Sequence, residues 1–231
     1  MTLLTDKRIL VVGAAGAFGG LLTSSLAAEG ASVLASARSN ESAARISASA
    51  AIRLLLDLEH PTSISTLTDY LNADESPLDG IVLASGLVGF APVSQTDPID
   101  AARLMQVNHL GPSQLLAALL PKLKQSAEAQ REPFILSIPG VVAEKDFSGM
   151  SAYSASKAAH SKFLATLALE LRRDKIRVIN ARPGHTETGL ATRAIFGTAP
   201  AMPPGMDPAR VVARLLAAIV GDETDLPSEV F

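Results

Sequence analysis

Tyr153 and Lys157 are the two side chains most readily joined into one piece of chemistry. They stand four residues apart, so on a helix both lie on one face. A phenol ordinarily titrates near 10. Acting as acid or base near neutrality means lowering that by about three units, on the order of 4 kcal/mol. A neighbouring ammonium favours the phenolate and supplies part of this. The bare Y-x-x-x-K spacing also describes an ordinary exposed helix face, so its meaning depends on where the fold puts it.

Asn108 is a third candidate. Pro112 follows it by four residues, and proline has no N–H and displaces the carbonyl four positions earlier. That carbonyl belongs to Asn108. A buried free carbonyl needs a partner, commonly water. The alternative is a plain kink with Asn108 bonded locally.

The third feature is the turn Gly13-Ala-Ala-Gly16-Ala-Phe18-Gly19. The apolar, β-branched run Ile9 to Val12 precedes it, as in a strand buried on both faces of a parallel sheet. Phe18, Leu21, Leu22, Ser25 and Leu26 then recur at helical spacing. Glycine is needed between such a strand and helix for positive φ, for approach of a pyrophosphate to bare backbone, and for close helix packing. The helix start offers unpaired N–H groups and a positive dipole end. Gly13, Gly16, Phe18 and Gly19 thus become candidates for a dinucleotide's phosphates; the alternative is a tight turn with no ligand.

The elements that must position these groups alternate strand and helix along the chain. A second strand begins at Ala31 and ends at Ser36-Ala37-Arg38. An acidic residue there would bind an adenosine ribose, whereas Arg38 suits a 2′-phosphate, which points to NADP(H) over NAD(H). The alternative is a solvated loop cation. Ser39 to Ala50 suits a short helix, Ile52 to Leu56 a third strand ending at Asp57, and Pro61 to Leu71 a helix. Asp57 can accept from an adenine amine or cap a turn. Gly80 to Ala84 reads as a fourth strand ending in Ser85-Gly86, where glycine permits close backbone approach. Ile99 to Gln130 is helical, interrupted at Gly111-Pro112, and Pro133 to Ile138 is a fifth strand. The helix opened by Tyr153 runs to about Arg173, and Lys175 to Ala181 is a sixth strand ending before Pro183-Gly184. Thr186 and Thr188 follow, suited to an amide or phosphate. Gly189 to Met206 reads as a mobile substrate lid, and Asp207-Pro208 caps a last helix to about Val220. The tail has no readable structure.

The chain of 231 residues suits one α/β domain. A net charge of −3 without a basic cluster argues against nucleic acid and anionic membranes as partners. With no Cys, disulfides and thiolate chemistry are excluded, and a reducing cytosol is the expected location. Met1 to Asp6 lacks the charged start and apolar core of a signal peptide, and no apolar run reaches membrane-span length. The four His show no metal-ligand spacing, and His109 and His160 are expected to be surface or packing residues.

Taken together, Gly13-x-x-Gly16-x-x-Gly19, Asp57, Ala84-Ser85-Gly86, Asn108-His-Leu-Gly111, Tyr153-Ser-Ala-Ser-Lys157 and Pro183-Gly184 resemble the short-chain dehydrogenase/reductase family over nearly the whole chain. The resemblance implies a doubly wound, Rossmann-type α/β fold with a mostly parallel sheet of six or seven strands, ordered 3-2-1-4-5-6 with a possible seventh. It implies a cofactor site that includes Ser85, Gly86, Pro183 and Gly184. It makes Tyr153 the proton donor to a small carbonyl or alcohol substrate. Lys157 lowers its pKa and binds the nicotinamide ribose, and the Asn108 main-chain carbonyl holds a relay water. The family often pairs helices across a dimer interface. A homodimer or homotetramer is therefore expected through Leu115, Leu116, Leu119, Phe163, Leu164 and Leu167.

Two positions depart from the family pattern. Ala17 stands where a glycine is usual. More seriously, the family's catalytic Ser, thirteen residues before the Tyr, is Gly140 here. Ser137, Ser148, Ser151 or the Gly140 N–H are the candidate substitutes. The expected activity is an NADP(H)-dependent hydride transfer; the alternative is a weakly active or inactive dinucleotide-binding sensor.

Overall fold

The computed structural model describes residues 2–231; Met1, where the reading of the amino terminus begins, lies outside them. Seven strands form one parallel sheet: β1 (Arg8–Val12), β2 (Ser32–Ala37), β3 (Ile52–Leu55), β4 (Gly80–Leu83), β5 (Phe134–Ser137), β6 (Arg177–Ala181) and β7 (Asp225–Leu226). Their order is β3-β2-β1-β4-β5-β6-β7, the expected order with a seventh strand added. Leu10 faces Leu34 on one side and Ile81 on the other, and Ile81 in turn faces Ile135.

Strand alternation divides the apolar side chains between two layers. Ile9 and Val11 face a core built with Leu22 and Leu26 of α1 (Ala17–Ala28) and Leu215 and Ile219 of α7 (Pro208–Val220). Leu10 and Val12 face the opposite core, made with α3 (Pro61–Ala73), α5 (Gly111–Glu128) and α6 (Ser151–Leu171). Asp207 caps α7 by accepting from the Ala209 N–H at 2.9 Å, with Pro208 in the first turn, as the sequence predicts.

Several expectations change. The helix expected over 39–50 is only α2 (Asn40–Ala43). A Ser39/Ser42 capping box starts it, and the chain then turns to bury Ile46 and to bond the Ala51 N–H to Val33. The long helix expected over 99–130 is α4 (Pro98–Met105) and α5, joined by a wide turn over Gln106–Leu110. There the Gly111 N–H donates to the Gln106 carbonyl, five residues back rather than four.

Five of the six side chains expected to form an assembly surface are buried in the second core: Leu115, Leu116, Leu119, Leu164 and Leu167. Phe163 is half-buried against the same cluster. These helices are broadly apolar because they cover the sheet. Leu110 and Leu169 are the exposed leucines on this layer. Among the described residues no helix is long and apolar enough to cross a membrane.

Candidate functional site

The carboxyl ends of the strands open into a cleft of about 1470 Å³. Open α/β sheets bind ligands at this edge, where connections on the two faces diverge. The turn after β1 forms one wall. Gly13 has φ of +82°, and a Cβ there would lie 2.9 Å from the Ser85 Cβ. A Cβ at Gly19 would overlap the Gly13 carbonyl, so α1 reaches the sheet only because glycine is there. Gly16 starts α1 without any side-chain cap, leaving the first-turn N–H groups turned to the cleft that Gly16, Ala17 and Phe18 line.

Beside this turn stands Ser85, whose buried hydroxyl has no hydrogen-bond partner. Gly86 brings bare backbone against the next layer; a Cβ there would lie 3.1 Å from Lys157 Nζ and 3.2 Å from Asn108 Oδ1. Uncapped helix N–H groups, a glycine cradle and an orphaned buried hydroxyl in one long cleft fit a dinucleotide.

Arg38 and Asp57 line the cleft where β2 and β3 end. The Asp57 carboxylate also accepts from the Glu59 N–H at 3.0 Å, so the turn-capping role left open by the sequence is realised. Ser42, Arg45 and Glu59 line the cleft as well and were not singled out from the sequence. Arg45 has no motif to mark it. Glu59 takes a two-pronged bond from Arg103 at 2.7 and 3.2 Å, which holds its carboxyl below the usual carboxylate range.

Tyr153 and Lys157 lie in the first two turns of α6 and both line the cleft. Lys157 Nζ donates to the Ile138 carbonyl at 3.4 Å. Burial pushes the Tyr153 phenol up to about 12 and the Lys157 ammonium down to about 8. For the phenol this is opposite to the lowering expected from a neighbouring ammonium, and loss of solvation on burial is the cause.

Asn108 and Gly19 lie behind the cleft wall and do not line it. The Asn108 amide donates to the Leu87 carbonyl and to Ser156 Oγ, both at 2.9 Å, and its Oδ1 accepts from the Leu87 N–H at 2.8 Å. Its side chain is fully engaged in joining the wide turn, the segment after β4, and α6.

Pro183, Gly184, Thr186 and Thr188 line the far wall. Thr186 Oγ1 donates to the Gly184 carbonyl at 3.0 Å, and Thr188 Oγ1 accepts from the Leu190 N–H at 3.3 Å. The segment expected as a lid lies over the cleft and is docked. The Phe90 N–H donates to the Phe196 carbonyl at 3.0 Å and the Ile195 N–H to the Val88 carbonyl at 2.9 Å. Phe90 reaches the cleft and Phe196 packs against the Tyr153 cluster from distant loops, with no local pattern to announce them.

The candidates to replace the missing hydroxyl separate clearly. Ser137 lies inside β5, buried, and shares a hydrogen bond with His160 Nε2 at 3.0 Å. The Gly140 N–H donates to the Ala181 carbonyl at 3.3 Å. Ser151 is exposed at the start of α6, while Ser148 is exposed and lines the cleft. His160 is a buried packing residue whose ring stacks on Phe163, and burial brings it down to about 3. No cluster of three metal-ligating side chains occurs among the described residues.

Comparison with known proteins agrees with this architecture. A "Dehydrogenase/reductase SDR family protein 7-like" of Anopheles gambiae is 29% identical over 96% of this chain and 75% of its own length. The yeast protein "Benzil reductase ((S)-benzoin forming) IRC24" of Saccharomyces cerevisiae is 32% identical over 59% of this chain and 52% of its own length. The solved structure of a short-chain dehydrogenase from Sphingobium yanoikuyae in complex with NADPH is 25% identical. It superimposes with a TM-score of 0.81 over 96% of this chain and 87% of that one. The family model described as short chain dehydrogenase matches residues 7–195, a stretch running from β1 through the glycine turn and α6 to the docked segment. With that match laid over this sheet order and this cleft, the chain belongs to the short chain dehydrogenase family of oxidoreductases.

Proposed function

We propose that this protein reduces a carbonyl substrate with NADPH, using Tyr153 as proton donor. The observation that carries the reading is that Tyr153 and Lys157 share one cleft with an uncapped helix start and its glycine cradle. Bound there, the reduced dinucleotide would supply a hydride. Gly13, Gly16 and the first N–H groups of α1 hold its diphosphate, and Arg38, with Arg45 nearby, meets the 2′-phosphate. Ser85, Gly86 and Lys157 hold the nicotinamide ribose end.

Tyr153 keeps its proton at neutral pH because burial raises its pKa to about 12. It is therefore poised to donate to a developing alkoxide, a far stronger base. Lys157 stays mostly protonated at pH 7 and offers its charge to the ribose hydroxyls and to the oxyanion side of the cleft.

The sensor reading is favoured by one observation, the lack of a side chain at Gly140. A titration of the protein with NADPH, followed by a carbonyl panel scored for NADPH oxidation, separates the two. Tight binding with turnover supports the reductase; tight binding without turnover across the panel supports the sensor.

A further inference from the structure

The end of the cleft where β2 and β3 stop carries an acidic group that a 2′-phosphate does not want. Arg38 and Glu59 both line it. Arg103 lowers the Glu59 carboxyl chiefly through its hydrogen bonds, and the charges of His60 and Arg38 are near enough to add to that. A free carboxylate here opposes NADPH in two ways. It repels the phosphate directly. It also offers the Arg38 guanidinium a competing partner.

Arg103 meets both difficulties from outside the cleft. It lies in the last turn of α4 and is not a lining residue. Its Nε donates to Glu59 Oε1 at 2.7 Å and its Nη2 to Glu59 Oε2 at 3.2 Å, so both carboxylate oxygens are taken. Asp100, one turn earlier on α4, stands 3.7 Å from Arg103 Nη1. The Glu59 N–H donates to Asp57 Oδ1 at 3.0 Å. The pair is thus anchored on α4 at one end and on the Asp57 turn at the other. Arg45 pairs loosely with Glu41 at 3.7 Å. Arg38, exposed at the end of β2, joins none of the ion pairs at this edge among the described residues.

We propose that Arg103 is a positioning residue for the choice of dinucleotide: by engaging both oxygens of Glu59 it leaves Arg38 free for the 2′-phosphate. This rests on the NADPH reading above. Because Arg103 does not line the cleft, its effect passes through Glu59. NADH carries an uncharged hydroxyl at the same position, so a released Glu59 costs it little.

The test is calorimetric titration of the wild type and three variants with NADPH and with NADH at low salt. Arg103→Met keeps the aliphatic stem and removes the charge. It should weaken NADPH binding by about tenfold and change NADH binding by less than about twofold. Adding Glu59→Gln to Arg103→Met should bring NADPH affinity back to within about threefold of the wild type, because the carboxylate is then gone. Arg103→Lys, which keeps the charge, should also stay within about threefold. The Arg103→Met loss should shrink at about 1 M salt, where charges are screened within a few ångströms. Equal weakening of both nucleotides, an unchanged NADPH affinity in Arg103→Met, or no recovery in the double variant would each overturn the proposal. The wild type separates the two readings. If it binds NADH as tightly as NADPH, the NADPH preference falls and this inference with it. If it prefers NADPH and Arg103→Met keeps the same preference, this inference alone falls.

Discussion

The Asn108 amide donates to Ser156 Oγ at 2.9 Å, and Ser156 is the residue immediately before Lys157 on α6. The same amide group spans both polar atoms of Leu87. One buried side chain therefore sets the spacing between the wide turn, the segment following β4, and the helix that carries Tyr153. Asn108→Ala leaves the Leu87 N–H and carbonyl without a side-chain partner, at about 1–3 kcal/mol each, while Ser156 Oγ keeps its bond to the Tyr153 carbonyl. Urea unfolding should show a loss of about 2–6 kcal/mol with an unchanged slope. A loss below 0.5 kcal/mol would show that water replaces the amide without cost.

Tyr153→Phe removes the proposed donor and little else, because the ring stays in its apolar cluster. The expected result is a fall in kcat of about 10²–10⁴ with NADPH affinity retained. Single-turnover absorbance measurements at saturating NADPH read this directly.

Lys157 carries a pH signature. Its pKa is near 8 in the folded protein and 10.5 in the unfolded chain. Between those values the unfolded chain holds a proton that the folded one has released, so stability rises with pH across that window. Below pH 8 both states hold the proton and the full burial penalty, about 3 kcal/mol, is present. Without dinucleotide, Lys157→Met should therefore be more stable than the wild type at pH 7, and that advantage should vanish towards pH 10.5. Thermal unfolding at stepped pH checks it; a difference independent of pH would remove the buried ammonium from the account.

Arg38 bears on which dinucleotide is preferred. A charged hydrogen bond contributes about 1.5–3 kcal/mol, so Arg38→Ala should weaken NADPH binding by about 10–100-fold while leaving NADH nearly unchanged. Calorimetric titration with each nucleotide measures the split. Equal losses for both would assign Arg38 to shape rather than to phosphate.

The sheet order was legible because apolar strands alternate with amphipathic helices, and parallel crossovers allow few arrangements. β7 was not legible. Asp225 and Leu226 form no apolar run, and they join the sheet through bonds from Asn180 to Thr224 and from Arg182 to Leu226, which only the folded chain brings together. The wide turn at Gln106–Leu110 left one trace in the sequence, Pro112, and no sign of its register. Within the site, residue types carried the glycine turn, Tyr153, Lys157 and Arg38. Arg45, Phe90 and Phe147 reach the cleft through tertiary packing of loops with no local pattern. The leucines that make α5 and α6 broadly apolar lie against the sheet, and apolarity alone does not separate that face from an assembly surface.

The central claim is that a nicotinamide nucleotide lies along the strand ends with its reactive ring beside Tyr153. A crystal structure of the NADPH complex tests it most directly. The account predicts the diphosphate on the N–H groups of Ala17 and Phe18, the 2′-phosphate at Arg38, and the nicotinamide C4 facing the space beside the Tyr153 hydroxyl. A dinucleotide bound with its nicotinamide directed away from Tyr153, or held elsewhere on the protein, would contradict it.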